Sequence, residues 1–585
     1  MKKIYLKGLY VVLMFMAFAV KANAAWDGSS ADYTWYDGHS SPYSISSAEQ
    51  MAGLQKIVAG QHGSADNFSG KTITLTADID LGGYAWTPIG SSSYPFKGIF
   101  DGQGHTVSGL YINTSSTNSG LWGYTSDALL HDLKIDSPNV TGGTCVGALA
   151  GYFYISSSSG SLSYNPYIYN CSVTDGSVSG NGSGIGGLVG RIEDPISSTI
   201  YHDIQVYNCS TSCNVSETGS GQQQISGLIG NLRTVSGATV YNCYTTGNIS
   251  ASNGVIAAGG ITGYADNGTN ASGNAAAITI HDCFSTGNVN TGTTTGVCIG
   301  GLVGQLYEGG SGALSPSIYN CFTTGNVTGY QNVGGIIGTI SVQTNNSSYI
   351  TTLKYCYSTG QVTAGNGGGS GVGGILGNIN GNNTSAKITV TKVAALNPSV
   401  TSSNGTNVRR VIGYIANCNT APTLGSLYAF DNMSVGSVST AAPISGSDAT
   451  SQTGADISKT DVNTAANWSE TWFSGASGWS FSNNNLAELT ATYVNTQPSM
   501  PAHLQTLTAI GNAANDNVQI SAGRGCIMIE SNEAGQTTVY TLSGAKVAGA
   551  AFTNGKTVIN GIAPALYVIK TDIAGKTFVT KAIVQ

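Results

Sequence analysis

Val240-Tyr241-Asn242-Cys243-Tyr244-Thr245-Thr246-Gly247-Asn248-Ile249-Ser250, followed after eight intervening residues by Gly259-Gly260-Ile261-Thr262-Gly263, is one full unit of an internal repeat. Its first half, Ile/Val-Tyr-Asn-Cys-x-x-x-Gly-x-Val with varied slots, recurs at Tyr169-Asn170-Cys171, Tyr207-Asn208-Cys209, His281-Asp282-Cys283 and Tyr319-Asn320-Cys321. A degenerate copy ends at Cys356, and a leading copy, Leu130-His131-Asp132-Leu133, has leucine in the cysteine slot. The intervals between these slots are 38, 38, 34, 40, 38 and 35 residues. The second half ends at Gly190, Gly230, Gly263, Gly304, Gly338 and Gly377, with looser copies at Gly123, Gly151 and Gly413. A fixed period of this length signals a solenoid.

The unit is too short and too interrupted by glycine for helices. About three β segments fit it, Val240 to Tyr244, Gly247 to Ser250 and Gly259 to Tyr264, separated by Gly/Asn/Ser turns. One unit cannot close a core, whereas stacked units bury a continuous one. The expected fold is therefore all-β: a right-handed parallel β-helix of about nine coils, some 40–45 Å long at one strand spacing per coil.

Stacking aligns Cys171, Cys209, Cys243, Cys283, Cys321 and Cys356 into one column, read as an inward ladder of free thiols. The adjacent column (Asp132, Asn170, Asn208, Asn242, Asp282, Asn320) reads as a polar ladder satisfying backbone at a bend. Cys209 and Cys213 lie four apart without a histidine pair, and no CxxC exists, so no metal site or cofactor is expected.

A solenoid needs caps. Ser46-Ser47-Ala48-Glu49 reads as a capping box opening a helix from Ala48 to Val58, with Met51, Leu54, Ile57 and Val58 on one face. Thr72 to Ile79 and Gly98 to Ile112 read as entry strands. Trp468, Trp472, Phe473, Trp479 and Phe481 are expected to plug the last coil.

Composition agrees with this reading. Of 585 residues, 81 are glycine, and only 9% are charged against roughly 25% in ordinary domains. Only 13 prolines and no G-X-Y period exclude collagen. The net charge of −7 argues against nucleic acid as a partner. Residues 1 to 24 read as a signal peptide: Lys2, Lys3 and Lys7, then an apolar run from Tyr10 to Val20, then Ala22-Asn23-Ala24 with cleavage between Ala24 and Ala25. After cleavage, 18 basic and 29 acidic residues leave −11, and no membrane-spanning segment is expected.

Charge balance changes along the chain. Residues 25 to 514 hold 12 basic and 25 acidic side chains, and residues 515 to 585 hold 6 and 4. The expected organisation is a signal peptide (1–24), N-terminal cap and entry strands (25–110), β-helix repeats (111–425), a C-terminal cap (426–510), a linker (511–515) and a small C-terminal antiparallel β-sandwich (516–585). The sandwich strands read Cys526 to Glu530, Thr537 to Leu542, Thr557 to Ile559, Leu566 to Lys570 and Phe578 to Val584.

The array resembles the GLUG-repeat family of bacterial surface proteins. The family's Gly-Leu-any-Gly element stands at Gly187-Leu188-Val189-Gly190, Gly227-Leu228-Ile229-Gly230 and Gly301-Leu302-Val303-Gly304. Its lead-in is matched by Ser47 to Val58, Ala77 to Leu81, Trp86 to Gly90 and Phe96 to His105. The resemblance, over roughly residues 45 to 505, implies a β-helix and an adhesin-like role; some such repeats are appended to immunoglobulin-A peptidases. The tail resembles the Bacteroidetes-type sorting domain of type IX secretion, through Val539 to Gly544, Gly561 to Lys570 and Lys581. Ala565-Leu566 replace that domain's usual glycine. This resemblance implies export machinery as a partner.

Catalytic motifs are not found. None of His39, His62, His105, His131, His202, His281 and His503 forms a HExxH helix, and no G-x-S-x-G occurs. Gly182-x-Gly184-x-x-Gly187 lies inside a repeat with no following helix. From Ser236 to Leu353 the only charged side chains are Asp266, Asp282 and Glu308, so the middle coils are not expected to build the paired carboxylates of a polysaccharide-cleaving enzyme. Asp127, Asp132 and Asp136 on early coils remain as candidates, with Glu193-Asp194 as a solvated turn and Arg409-Arg410 as a solubilising rung. Asp78 and Asp80 share a strand face and read as structural.

The resulting expectation is a secreted or cell-surface protein, non-enzymatic and adhesin-like, whose Ser/Thr/Asn/Tyr faces bind host protein or glycan by repeated weak contacts. The ligand-binding residues are not identified by the sequence. The alternatives are a β-helix polysaccharide-degrading enzyme, a passive surface scaffold, and a periplasmic location.

Overall fold

A computed structural model describes residues 26–156, 164–194, 204–219, 223–252, 254–268, 277–309, 315–365, 370–490, 500–505 and most of 518–584. The signal-like segment with Ala24 and Ala25, and the linker at 511–515, lie outside the described residues. The chain divides into two units.

The first unit is a parallel β-solenoid. An entry turn (Ile99–Asp101, Thr106–Ser108, Tyr111–Asn113, Trp122–Ser126) is followed by eight complete coils, which begin at Leu129, Ile168, Ile204, Ala238, Ile278, Ser317, Ile350 and Lys387. Each coil runs through a first, second, third and fourth sheet in turn; the third is only an isolated bridge at Val146 in the earliest coil. The sequence suggested three sides because Gly259 to Tyr264 read as one strand. The structure instead makes Val255–Gly259 and Thr262–Asn267 two strands on two sheets, with the corner between them. That corner has no room for a side chain at Gly260, where a Cβ would lie 2.5 Å from the Gly301 carbonyl oxygen.

The repeat motif occupies the first sheet. In Ile278–Ser285, Ile278, Ile280 and Cys283 face the core and His281 faces out. Residue 282 lies at φ 51°, and the matching Asp132, Asn170, Asn208, Asn242 and Asn320 lie at 52–53°. Asn and Asp tolerate this left-handed bend better than other non-glycine residues. Their side chains bond chiefly one another, and Asn320 also donates to a backbone group, the Ser477 carbonyl, at 2.7 Å. The Asn170, Asn208 and Asn320 amides donate to Asp132, Asn170 and Asp282 at 2.7–2.9 Å, and Asn242 donates to Asn208 at 3.2 Å.

The thiol ladder is present. Cys171, Cys209, Cys243, Cys283, Cys321 and Cys356 are free and fully buried, and each donates to the carbonyl two residues earlier at 3.1–3.3 Å. Burial holds the thiols from Cys171 to Cys321 well above their ordinary pKa. Outside the bend, His131, Tyr169, Tyr207, Tyr241, His281 and Tyr319 stack at 4.7–5.2 Å.

The helix at Ala48–Val58 forms as expected and buries Met51, Leu54, Ile57 and Val58. Its Ser47 N-cap accepts from the Gln50 amide at 3.4 Å, and the Gln50 side chain accepts from the N–H of Ser46, one residue before the cap, at 2.8 Å, so the expected Ser46–Glu49 box does not form.

The C-terminal aromatics do not plug the last coil. Within Trp468–Ser480 they lie along the flank of the first sheet, where Phe284, Phe322 and Tyr357 form a second outward stack at 4.8–5.0 Å. Trp479 packs on Phe322 and Tyr357, and its indole donates to Asn320 Oδ1 at 3.0 Å. Trp468 sits edge-on to Tyr357 at 5.5 Å. Serines 172 and 210 hold the same row on earlier coils, so the apolar stack needs cover only at its far end.

The second unit comprises Ser458–Asn467, Phe481–Ala487 and Ser499–Gln585. Its tail forms a three-stranded and a four-stranded antiparallel sheet around Ile527, Ile529, Val539, Phe552 and Ile569. Strands Val518–Gly523 and Lys546–Phe552 were not expected; the second, Lys-Val-Ala-Gly-Ala-Ala-Phe, lacks the β-branched pattern that marks a strand. No helix among the described residues is long and apolar enough to cross a membrane.

Candidate functional site: the outer face of the fourth sheet

In Val189–Asp194, Ile192 and Asp194 turn inward, so Arg191 and Glu193 stand on the outside. In-register pairing puts Arg233 beside Glu193 on the next coil and Asp266 beside Arg233 on the one after. Three successive coils thus place two cations and two anions on one face, each within reach of an opposite charge. Arg191 Nη2 lies 2.7 Å from Glu193 Oε1, Arg233 Nη1 lies 3.5 Å from the same oxygen, and Arg233 Nε lies 3.3 Å from Asp266 Oδ2. The Tyr152 hydroxyl donates to Glu193 Oε2, and the Arg191 guanidinium lies over the Tyr152 ring at 5.5 Å.

The two carboxylates differ. Both oxygens of Glu193 are engaged. Asp266 has one oxygen toward Arg233, and its buried Oδ1 has no partner among the described residues. Burial pushes the Asp266 carboxyl above its usual pKa, against the opposing pull of Arg233 and Arg191.

Tyrosines flank the network. Tyr124 meets Tyr152 edge-on at 4.9 Å and Tyr154 at 5.9 Å on one side, and Tyr264 lies 6.1 Å from Tyr307 on the other. All five are partly exposed. The stacked ladder on the first sheet differs here: its inner rings are sandwiched by neighbours and offer only their edges. The fourth sheet is therefore the face that presents aromatic surface beside fixed hydrogen-bonding groups, the combination a polar ring-shaped ligand requires.

A cavity of about 470 Å³ lies near the entry turn, walled by Trp86, Pro88, Asn113, Thr114, Ser116 and Asn118. It has the size of a small-ligand site, and no ionisable side chain lines it.

Several sequence expectations are corrected. Glu193-Asp194 is no solvated turn: Glu193 is 7% exposed and Asp194 fully buried on a strand. Arg410 is no surface rung, being fully buried against Asp456. The middle coils do contribute to a carboxylate pair, because Asp266 stacks two coils from Glu193. Asp127 is buried and accepts from Ser156 N and Oγ, both at 2.6 Å. Asp136 accepts from Thr174, Asp80 from the Gly82 N–H, and Asp78 from the Thr106 N–H, at 2.7–2.9 Å; these are structural roles.

No protein-family model matches the chain. The chain is 34% identical over 194 residues to Halomucin of Haloquadratum walsbyi, a stretch covering 30% of this chain and 2% of that protein. It is 27% identical over 151 residues to a Gly-rich membrane protein of Evansella cellulosilytica, covering 25% of this chain and 17% of that one. The matched regions thus span less than a fifth of either relative's length. A crystal structure described as a candidate immunoglobulin A1 protease from Bacteroides ovatus aligns over 77% of this chain and 92% of its own, with 19% identity and a TM-score of 0.32.

Proposed function

We propose that the protein is exported and acts at the cell surface or after secretion as an adhesin-like, non-enzymatic solenoid that binds glycan. The contact surface is the outer face of the fourth sheet, and the supporting observation is the Tyr152-Arg191-Glu193-Arg233-Asp266 network framed by tyrosines. The network is neutral overall and pre-ordered, which suits hydroxyl-rich ligands with donors and acceptors and limits the entropy lost on binding. Stacked coils repeat such weak contacts along one face. In this reading the repeats are GLUG-type and the tail is a sorting-like domain engaging export machinery. Similarity over part of the chain to a membrane protein agrees with a place outside the cytoplasm.

A screen of the full-length protein against neutral and acidic glycans tests this. Binding is expected to at least one class, and Arg233→Ala, which frees Asp266 and removes one of the two cations on Glu193, is expected to weaken it about tenfold, the scale of one lost charge-assisted contact. Silence across the panel, or binding indifferent to Arg233, contradicts the reading.

One observation favours a polysaccharide-degrading enzyme. Glu193 and Asp266 are two coils, about 10 Å of backbone, apart, which falls near the range of inverting glycosidase carboxyls. Both oxygens of Glu193 are already engaged, by Arg191 and by Tyr152, and not turned to a water, which weighs the other way. Release of reducing ends from a polysaccharide, abolished by Glu193→Gln, would establish the enzyme.

A further inference from the structure

Away from that face, strand pairing sets Asp101, at the end of the entry turn's first strand, beside His131 on the next coil. Asp132 follows at the left-handed bend. One ligand atom from each of the three lies within 4.8 Å of the other two. Asp101 Oδ1 is 3.6 Å, and Asp132 Oδ2 2.7 Å, from His131 Nδ1. Ligands around an ion with bonds of about 2.0–2.2 Å are separated by roughly 3 to 4.5 Å. The Asp101–His131 pair already stands at such a spacing, and the His131–Asp132 hydrogen bond has to open by a few tenths of an ångström to admit the ion.

Each member is held by a neighbour. Asn170 Nδ2 donates to Asp132 Oδ1 at 2.7 Å, leaving Oδ2 toward the imidazole, while Gln103 Nε2 donates to Asp101 Oδ2 and the Gln103 N–H fixes Asp101 Oδ1, the oxygen nearest the imidazole, at 3.0 Å. The His131 ring stacks on Tyr169 at 4.7 Å and 12°. Support of this kind orients metal ligands and sharpens affinity. The side chains are 17%, 12% and 35% exposed, sheltered yet open to an entering ion. Among the described residues no Lys or Arg pairs with Asp101 or Asp132, so two carboxylates converge on one imidazole without a fixed cation.

The repeat supplies an internal control. His281 and Asp282 reproduce the second pair at the same 2.7 Å, and Asp282 likewise accepts from Asn320. On the coil before His281 stands Tyr241 instead of an acid, so the third ligand is missing. A His–Asp contact is thus a feature of the motif, and Asp101 is what turns one copy into a three-ligand set.

We propose that Asp101, His131 and Asp132 form a divalent transition-metal site, for zinc, that ties the entry turn to the first complete coil. One nitrogen and two carboxylate oxygens suit such an ion, whereas calcium prefers oxygen ligands alone. One further position of a four-coordinate ion is left for water. The site is independent of the glycan-binding reading.

Zinc chloride titrated into the full-length protein at pH 7.5, followed by calorimetry and thermal melting, tests it. Binding is expected with a rise in melting temperature, since an ion that binds only the folded chain stabilises it. Asp101→Asn is expected to weaken zinc binding at this site at least about tenfold and to remove the rise. His131→Tyr, which installs the residue the repeat carries at 169 and 207, should do the same while preserving the zinc-free melting temperature. Asp282→Asn should leave both readouts unchanged. No zinc binding up to millimolar concentration, or binding and stabilisation unaffected by Asp101→Asn and His131→Tyr, overturns the proposal.

Discussion

Asp456→Ala is expected to destabilise the solenoid by about 3–5 kcal/mol, the cost of leaving a buried charge without its partner. The charge is Arg410, fully buried at the far end of the coils. Its guanidinium donates to the Thr453 carbonyl at 3.1 Å, the Gly454 carbonyl at 2.7 Å and Asp456 Oδ1, which also accepts from the Gly446 N–H at 3.0 Å. The segment from Gly446 to Ile457 is thereby fastened across the last coil. Its Gln452 carbonyl accepts from the Val411 and Ile412 N–H groups, and its Ala449 carbonyl from that of Leu427. This segment, rather than the tryptophan cluster, closes the stack, and an open end would expose unpaired strand edges. Urea unfolding of the full-length protein measures the loss. The double variant Arg410→Met/Asp456→Ala should recover part of it, because no buried charge remains. A change under about 0.5 kcal/mol for Asp456→Ala would show that this partly exposed carboxylate does not hold the cap.

Glu308→Gln is expected to stabilise the protein at pH 8 and to do little at pH 4. Glu308 is the inward residue ending Val303–Glu308 and is fully buried. Tyr349 donates to its Oε2, while Oε1 is buried without a partner among the described residues. Burial pushes its pKa up to about 8, with Asp266 adding to the rise and the Tyr349 bond opposing it. The folded chain therefore holds a proton that the unfolded chain has released above its ordinary pKa near 4.5. In that interval the folded state binds more protons, so stability falls as pH rises and levels off above about pH 8. Glutamine keeps the neutral shape and removes the slope. The gain at pH 8 should be on the order of a few kcal/mol, read as a rise in urea midpoint. An equal effect at pH 4 and pH 8 would contradict it.

The coil was legible because every repeat carries the same inward set: apolar residues, then cysteine, then valine, at a period of about 38 residues. The fourth side was not, since its corner and strand share one glycine-rich run. The position of the tryptophans depended on Phe284, Phe322 and Tyr357 forming an outward stack, which requires knowing which residues face out. Neither candidate site is a linear motif. Glu193, Arg233 and Asp266 are separated by 40 and 33 residues, because loops of unequal length intervene, and meet only through in-register stacking. Arg233 stands three residues before Ser236, just outside the charge-poor stretch that ends at Leu353. Asp101 and His131 meet in the same way, thirty positions apart.

The account rests on the chain leaving the cytoplasm and presenting its coils outside. Antibody labelling and protease shaving of intact cells test this directly, comparing the full-length protein with a version ending at Asn515. The expected result is labelled, protease-sensitive solenoid for the full-length chain and loss of surface exposure on truncation. Protection of the full-length chain until the envelope is broken would contradict the account.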